Sequence, residues 1–261
     1  MLTERSTRVI AAAKLHRQVA RRRSDRFLVE GANLVEAASR RGLVREIFVT
    51  ETAAQRYADL LTGHAAAVNV VTERAAKALS DTVTPAGLVA VCEHPSAVLA
   101  EVLAQAPRVV AVGVEIGEPG NAGTLIRIAD AMGAAAVVFI GHGVDPYNGK
   151  CLRASAGSIF AVPVVVAPDV DAAITELRGA GLRVVATTVD AELSLDDADL
   201  AAPTAWLFGS EAHGLSAEIA EQADARVSIP MSGNAQSLNV AAAAAICLYQ
   251  SARAQRAGPA S

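Results

Sequence analysis

The sequence predicts an α/β protein in two parts: a small α/β unit, then a larger one on a mainly parallel sheet. Three observations predict it. First, 52% of the 261 residues are hydrophobic, much of that Ala and Val, and only 3% are aromatic. Such side chains suit helices close-packed on a parallel sheet, in a chain long enough to bury a sizeable core. Second, several short apolar runs show no alternation, Val109 to Ile116 being the longest, which implies strands buried on both faces. Third, helical patterns separate most of these runs, as in a βα series.

In chain order, residues 5–24 read as one helix with the triplet Arg21-Arg22-Arg23 near its end. Phe27-Leu28-Val29 reads as a strand before a helix from Ala32. Ile47-Phe48-Val49 precedes a helix from Ala53, and Val68 to Val71 precedes one from Glu73. Leu88 to Val91 closes this set. Pro95 and Pro107 bracket a connector that is helical around Val98 to Leu103. After Val109–Ile116, strands are expected at 136–140, 163–166, 183–189, 205–208 and 226–229. An Ala-rich helix from Leu238 ends the fold, frayed after Ala254. The expected division is an N-terminal domain over 1–94, a linker over 95–107 and a C-terminal domain over 108–261.

Charge is unevenly placed. Residues 1–26 hold eight Lys and Arg against two acids, a net of +6, and the remaining 15 bases and 25 acids give −10. A basic segment on an acidic body suggests a polyanionic partner, and a solvated amphipathic helix explains it equally well. Cys92, Cys151 and Cys247 are widely spaced, which fits a reducing cytoplasm, and neither they nor the histidines show metal-ligand spacing, so no metal is expected. No signal-peptide core opens the chain, and the apolar run Val240 to Leu248 is too short to span a bilayer, so no membrane is expected.

Three loop motifs carry the chemistry. Glu118-Pro119-Gly120-Asn121-Ala122-Gly123-Thr124-Leu125-Ile126-Arg127 follows the strand ending near Ile116. Pro-Gly suits a type II turn, with Asn121 then capping a helix. On its own, this motif is an ordinary capped turn with Arg127 paired to Asp130. Its glycines do not have the G-x-G-x-x-G spacing of a dinucleotide loop, which argues against an NAD enzyme. Phe208-Gly209-Ser210-Glu211-Ala212-His213-Gly214-Leu215-Ser216 breaks a buried strand into a Gly-bracketed loop. Gly209 allows close ligand approach, and Ser216 caps the next helix with Glu218 in its first turn. His213 is read as solvated. Ile229-Pro230-Met231-Ser232-Gly233-Asn234-Ala235-Gln236-Ser237-Leu238-Asn239-Val240 is a strand end, a polar loop and a helix start capped by Ser237. Asn239 has poor helix propensity and no evident structural reason to be there.

Together, in this order, the motifs resemble the signature of the SpoU/TrmH family of RNA 2′-O-methyltransferases in the SPOUT superfamily. The likeness runs through 108–255, including Arg153-Ala154-Ser155-Ala156-Gly157-Ser158-Ile159-Phe160. The segment Arg26-Phe27-Leu28-Val29-Glu30-Gly31 with its following helix is similar to the small RNA-binding domain of many members. The whole resembles the ribosomal RNA enzymes, the thiostrepton-resistance type among them.

The resemblance implies a deep trefoil knot in the C-terminal domain, a homodimer, and methyl transfer from S-adenosylmethionine to a ribose 2′-hydroxyl, in rRNA rather than tRNA. It implies cofactor contacts from Gly209, Ile229 and Leu238. It places Asn121, Arg127, Glu211, Ser237 and Asn239 around the reaction: Arg127 as the main catalytic residue, Ser237 and Asn239 positioning the nucleotide, Glu211 orienting the network. Arg153 would clamp phosphate, across the dimer or within one subunit, and Arg21, Arg22, Arg23 and Arg26 would contact RNA. An arginine stays protonated, so the role expected of Arg127 is to grip phosphate and stabilise the developing alkoxide; the proton acceptor stays open. A non-catalytic RNA-binding or ribosome-assembly protein on the same scaffold would show erosion at these positions, and all five are present.

Overall fold

The computed structural model describes residues 1–62, 66–95 and 97–257, without the Ala257 side chain. Two compact units result. One is built from residues up to Pro95 together with Tyr147–Phe160, the other from Ala97–Pro146 and from Ala161 onward.

In the first unit the expected single N-terminal helix is broken. α1 (Thr7–Ala13) runs into a 3₁₀ turn over Lys14–His16, and Arg17 is extended before α2 (Gln18–Ser24). The break leaves carbonyls without helical partners. The Arg21 guanidinium donates to two of them, Leu15 O and His16 O, both at 2.9 Å. Arg21 is therefore buried, 5% exposed, and does not belong to an exposed arginine triplet. The segment is no free arm either. Val9, Ala12 and Leu15 are buried against Leu28, Phe48 and Leu79, and Leu2 bridges to Val71.

The strands and helices that follow are β1 (Arg26–Glu30), α3 (Ala32–Arg40), β2 (Val44–Val49), α4 (Glu51–Arg56), α5 (Ala58–Leu61), β3 (Ala67–Val70), α6 (Glu73–Leu79) and β4 (Leu88–Glu93). Thr50 and Thr72 cap α4 and α6 by accepting from Ala53 N and Ala75 N, each at 3.2 Å. The sheet order is β1-β4-β2-β3, antiparallel except between β2 and β3.

The second unit opens with α7 (Leu99–Leu103), β5 (Val109–Val114), α8 (Pro119–Met132) and β6 (Ala136–Ile140). The chain then supplies α9 (Gly149–Ser155) to the first unit. It returns with β7 (Val164–Ala167), α10 (Val170–Gly179), β8 (Arg183–Thr187), the two-residue β9 (Leu193–Ser194), β10 (Thr204–Phe208), α11 (Ala217–Glu221), β11 (Ala225–Ser228) and α12 (Val240–Ala257). The sheet order is β7-β6-β5-β10-β8-β11-β9, and every neighbouring pair is parallel. β5, β6 and β10 are buried at every residue, which is why their sequences do not alternate. α12 packs on α8, β5 and β10, and the buried Trp206 indole of β10 donates to Ser251 Oγ at 2.8 Å. Parallel strands send all their C-termini to one edge. The loops after β5, β8, β10 and β11 therefore converge where an open α/β sheet holds its ligands.

Candidate active site

The site begins with how α8 starts. Glu118, not Asn121, is the N-cap: its Oε1 accepts from Gly120 N at 3.1 Å, and Pro119 is the first helical residue. Proline fits there because that position has no intrahelical N–H bond to lose. The expected turn is thus the first turn of the helix, and the Asn121 side chain is released from capping.

Asn121 instead joins three loops. Its Nδ2 donates to Glu211 Oε1 at 2.7 Å, and its Oδ1 accepts from Asn239 Nδ2 at 3.0 Å. Asn239 Oδ1 accepts from Ala241 N at 2.9 Å and Ala242 N at 3.4 Å. The direction of the chain is fixed at both ends. An ionised carboxylate only accepts and backbone N–H groups only donate, so each amide has one permitted orientation. Asn239, not Ser237, caps α12, which supplies the structural reason its sequence position lacked. The link ties the helix after β5, the loop after β10 and the helix after β11 into one frame.

Around this frame, Arg127 is exposed and makes no hydrogen bond or ion pair with any described residue, so the surface pair with Asp130 is not formed. Ser237 is exposed in the loop before Asn239. Ser216 caps α11 through Ile219 N at 3.3 Å, with Glu218 in the first turn. Arg153 is in the first unit, ion-paired to Asp81. Arg22, Arg23 and Arg26 are exposed in the same unit.

Gly209 has a structural reason beside the one expected. Ser210 and Gly214 exchange backbone hydrogen bonds at 3.1 and 2.9 Å, folding the loop back on itself. A Cβ on Gly209 would overlap the Gly214 carbonyl carbon and Leu215 N. Any side chain there displaces the loop's own backbone first. A Gly209→Val protein therefore loses the loop rather than only a ligand contact.

Two observations show room for a bound adenosyl cofactor. Residues Met231 to Leu238 are all exposed, Leu238 at 38%, and none of their backbone groups bonds to other described backbone. Free amides and carbonyls beside Ile229 and Leu238 suit a purine, which needs apolar faces and an edge to read. In addition, Thr188 Oγ1 is buried without a hydrogen-bond partner among the described residues. It follows β8 directly, between β10 and β11. An orphaned hydroxyl costs about 1–3 kcal/mol, a cost a polar ligand would remove. The sequence signal for Thr188 was its place at the C-terminus of a parallel strand. Thr188→Val, close in shape, is expected to leave the unliganded protein as stable or more so and to weaken S-adenosylmethionine binding about fivefold to tenfold. Thermal unfolding with calorimetric titration checks both signs; unchanged affinity would remove the hydroxyl from the site.

No reactive thiol adds to this chemistry: all three cysteines are buried, and burial pushes the Cys92 and Cys247 thiols up to about 12.

Residues 108–249 match the SpoU rRNA Methylase family, and residues 6–90 match the MRM3-like substrate binding domain. The chain is 37% identical over 237 residues to 23S rRNA (guanosine(2553)-2′-O)-methyltransferase RlmP of Bacillus subtilis, covering 90% of this chain and 92% of that one. The SpoU methyltransferase AviRb from Streptomyces viridochromogenes, solved in complex with the cofactor AdoMet, superimposes with a TM-score of 0.88 at 30% identity, covering 97% of this chain and 100% of that one. An AdoMet-bound rRNA methyltransferase from Sinorhizobium meliloti superimposes with a TM-score of 0.85 at 29% identity, covering 95% of each chain. By its sequence match, its full-length relative and its fold, the chain belongs to the SpoU rRNA methylase family.

Proposed function

We propose that this protein transfers the methyl group of S-adenosylmethionine to a ribose 2′-hydroxyl of ribosomal RNA. The observation that carries the reading is the Glu211–Asn121–Asn239 link, which holds three strand-end loops together on the helix that bears an unpartnered Arg127. The named activity of the full-length Bacillus subtilis relative supports ribosomal over transfer RNA.

S-adenosylmethionine, when bound, supplies an electrophilic methyl group on a sulfonium. The chain supplies position and electrostatics. Gly209, in the folded-back loop after β10, and Ile229 and Leu238 contact the cofactor's adenosine, and the free backbone of Met231–Leu238 reads its edge. Ser237 and Asn239 hold the target nucleotide. Arg127 grips the adjacent phosphate and meets the charge that develops on the 2′-oxygen. Glu211 fixes the orientation of Asn121 and, through it, Asn239. Residues 1–94 form the RNA-binding domain, 95–107 the linker and 108–261 the methyltransferase domain, with the RNA backbone contacted by Arg153, Arg22, Arg23 and Arg26.

The same reading includes a trefoil knot in the second unit. It includes a homodimer, supported by the apolar stripe that Ile246 (37% exposed) and Tyr249 (50% exposed) leave on α12. It places the protein in the cytoplasm, in keeping with three free cysteines. No helix among the described residues is long and apolar enough to cross a membrane.

Mapping ribose methylation in rRNA and tRNA from cells with and without the gene tests the reading. One rRNA 2′-O-methyl group should disappear and be restored by purified protein with S-adenosylmethionine. Loss of a tRNA methyl group instead, or of none, would overturn it.

The basic surface gives a narrower expectation. Because α1 and the 3₁₀ turn help build the core, the arginines should be tested by substitution and not by deleting the segment. Replacing Arg22, Arg23 and Arg26 with Ala should weaken RNA binding and reduce the log–log salt slope by about 0.7–0.9 for each phosphate no longer neutralised. Cofactor affinity should stay unchanged. An unaltered salt slope would make these arginines a merely solvated face.

A further inference from the structure

The first unit contains a cavity of about 220 Å³ that the strand-end loops and Arg127 do not use. Five buried leucines, Leu15, Leu28, Leu34, Leu79 and Leu152, make most of its floor, beside the buried Arg21 and Tyr147. Its rim is polar and exposed, with His16, Asp81, Lys150 and Arg153. An engineered apolar cavity of about 150 Å³ is enough to admit benzene, so a heterocyclic base fits this space. The leucine side chains suit the flat face of a base. Cations at the rim suit the phosphate that follows it. Proteins read single unstacked nucleotides in RNA loops and bulges by stacking the base on aromatic rings or guanidinium planes, and His16, Tyr147 and Arg21 are part of this lining.

Glu30 is part of the cavity's lining, and its carboxylate is fixed on one side. Oε1 accepts from Ser80 Oγ at 2.8 Å, Thr82 Oγ1 at 3.2 Å and Ala86 N at 3.0 Å. Oε2 accepts from Ser80 Oγ at 2.7 Å. Oε2 takes only one of these four bonds, so it retains room for one incoming donor from a base. Arg153 is held at the rim by its ion pair with Asp81. A guanidinium has five N–H donors, and one carboxylate leaves several for a phosphate.

We propose that this cavity takes one unstacked base of the RNA substrate, with Glu30 accepting from a donor on the base and Lys150 and Arg153 on the adjoining phosphate. The proposal rests on the RNA-methyltransferase reading above. It makes Glu30 a base-contacting residue and Asp81 the positioning residue for Arg153.

The test uses the full chain with ¹³C-methyl leucine, titrated with the four 5′-nucleoside monophosphates and with inorganic phosphate. Ring-current shifts are expected at the methyl groups of the floor leucines with the nucleotides and not with phosphate alone. Leu34→Phe, which fills the floor, should remove them. In methyl transfer to rRNA from cells lacking the gene, that variant should raise KM for RNA about tenfold, with kcat and cofactor affinity unchanged. No floor response to any nucleotide, an equal response to phosphate alone, or an unchanged KM in a folded Leu34→Phe protein would each overturn the pocket. Wild-type transfer measured in the same assay separates this failure from failure of the enzymatic reading, which predicts activity with or without the pocket.

Discussion

Replacing Arg127 with Ala is expected to lower single-turnover methyl transfer by about 10²–10³-fold, with cofactor affinity intact and RNA affinity only modestly weaker. The reason is where the charge appears. The 2′-hydroxyl is neutral in the ground state and gains negative charge as its proton leaves and the methyl group arrives. A cation aimed at that oxygen stabilises the transition state more than either bound reactant. The structure leaves Arg127 free for this: it is exposed and has no partner among the described residues. Arg127→Lys should recover little, because an ammonium lacks the planar fork that holds a phosphate and a second oxygen together. If Arg127 were only a solvated surface residue, both variants would turn over near the wild-type rate at saturating cofactor and RNA. That result would move the catalytic role elsewhere.

The strands around this site were legible in the sequence because burial on both faces removes alternation. Val109–Val114, Ala136–Ile140 and Thr204–Phe208 stand where apolar runs put them. β9 was not legible, because two residues carry no period. The three loop motifs were also legible, but their internal geometry was read one step off. Local rules made Asn121 and Ser237 caps, whereas Glu118 and Asn239 do that work, since an acidic side chain before Pro119 and an amide before Val240 reach the free N–H groups equally well. The choice between such neighbours depends on partners far away in sequence, Glu211 and Asn239 for Asn121, which no local pattern contains. Arg21 shows the same limit. Its neighbours Arg22 and Arg23 are exposed, but the helix break just before α2 leaves two carbonyls that Arg21 reaches. α9 is a further case: its residues read as a connecting helix of the second half, and tertiary packing assigns them to the first unit.

The distant partners of Asn121 supply the second large expected effect. Asn121→Asp keeps an acceptor for Asn239 but replaces the donor to Glu211 with a carboxylate. Two carboxylates at hydrogen-bond distance cannot both stay ionised comfortably, so the loop after β10 and α8 should separate, or one group should hold a proton. Glu211 is exposed, so water and salt screen part of this repulsion. The loss should therefore appear as misplacement and not as unfolding. A shift of about 1 Å in a positioning frame can cost about 10²-fold in rate, and a loss of that order is expected near pH 8. The sign of the pH dependence follows from the shared proton. Like-charge contact raises the affinity of the pair for one proton, so lowering the pH should restore a hydrogen bond between the two carboxyl groups. Activity of Asn121→Asp relative to wild type should then rise as pH falls. Asn121→Leu removes donor and acceptor together, so it should lose a similar factor at pH 8 and show no relative recovery. Parallel pH–rate profiles for the two variants would mean that Asn121 does not hold the loop after β10 through Glu211, and that the link is a consequence of the fold with no part in positioning the site.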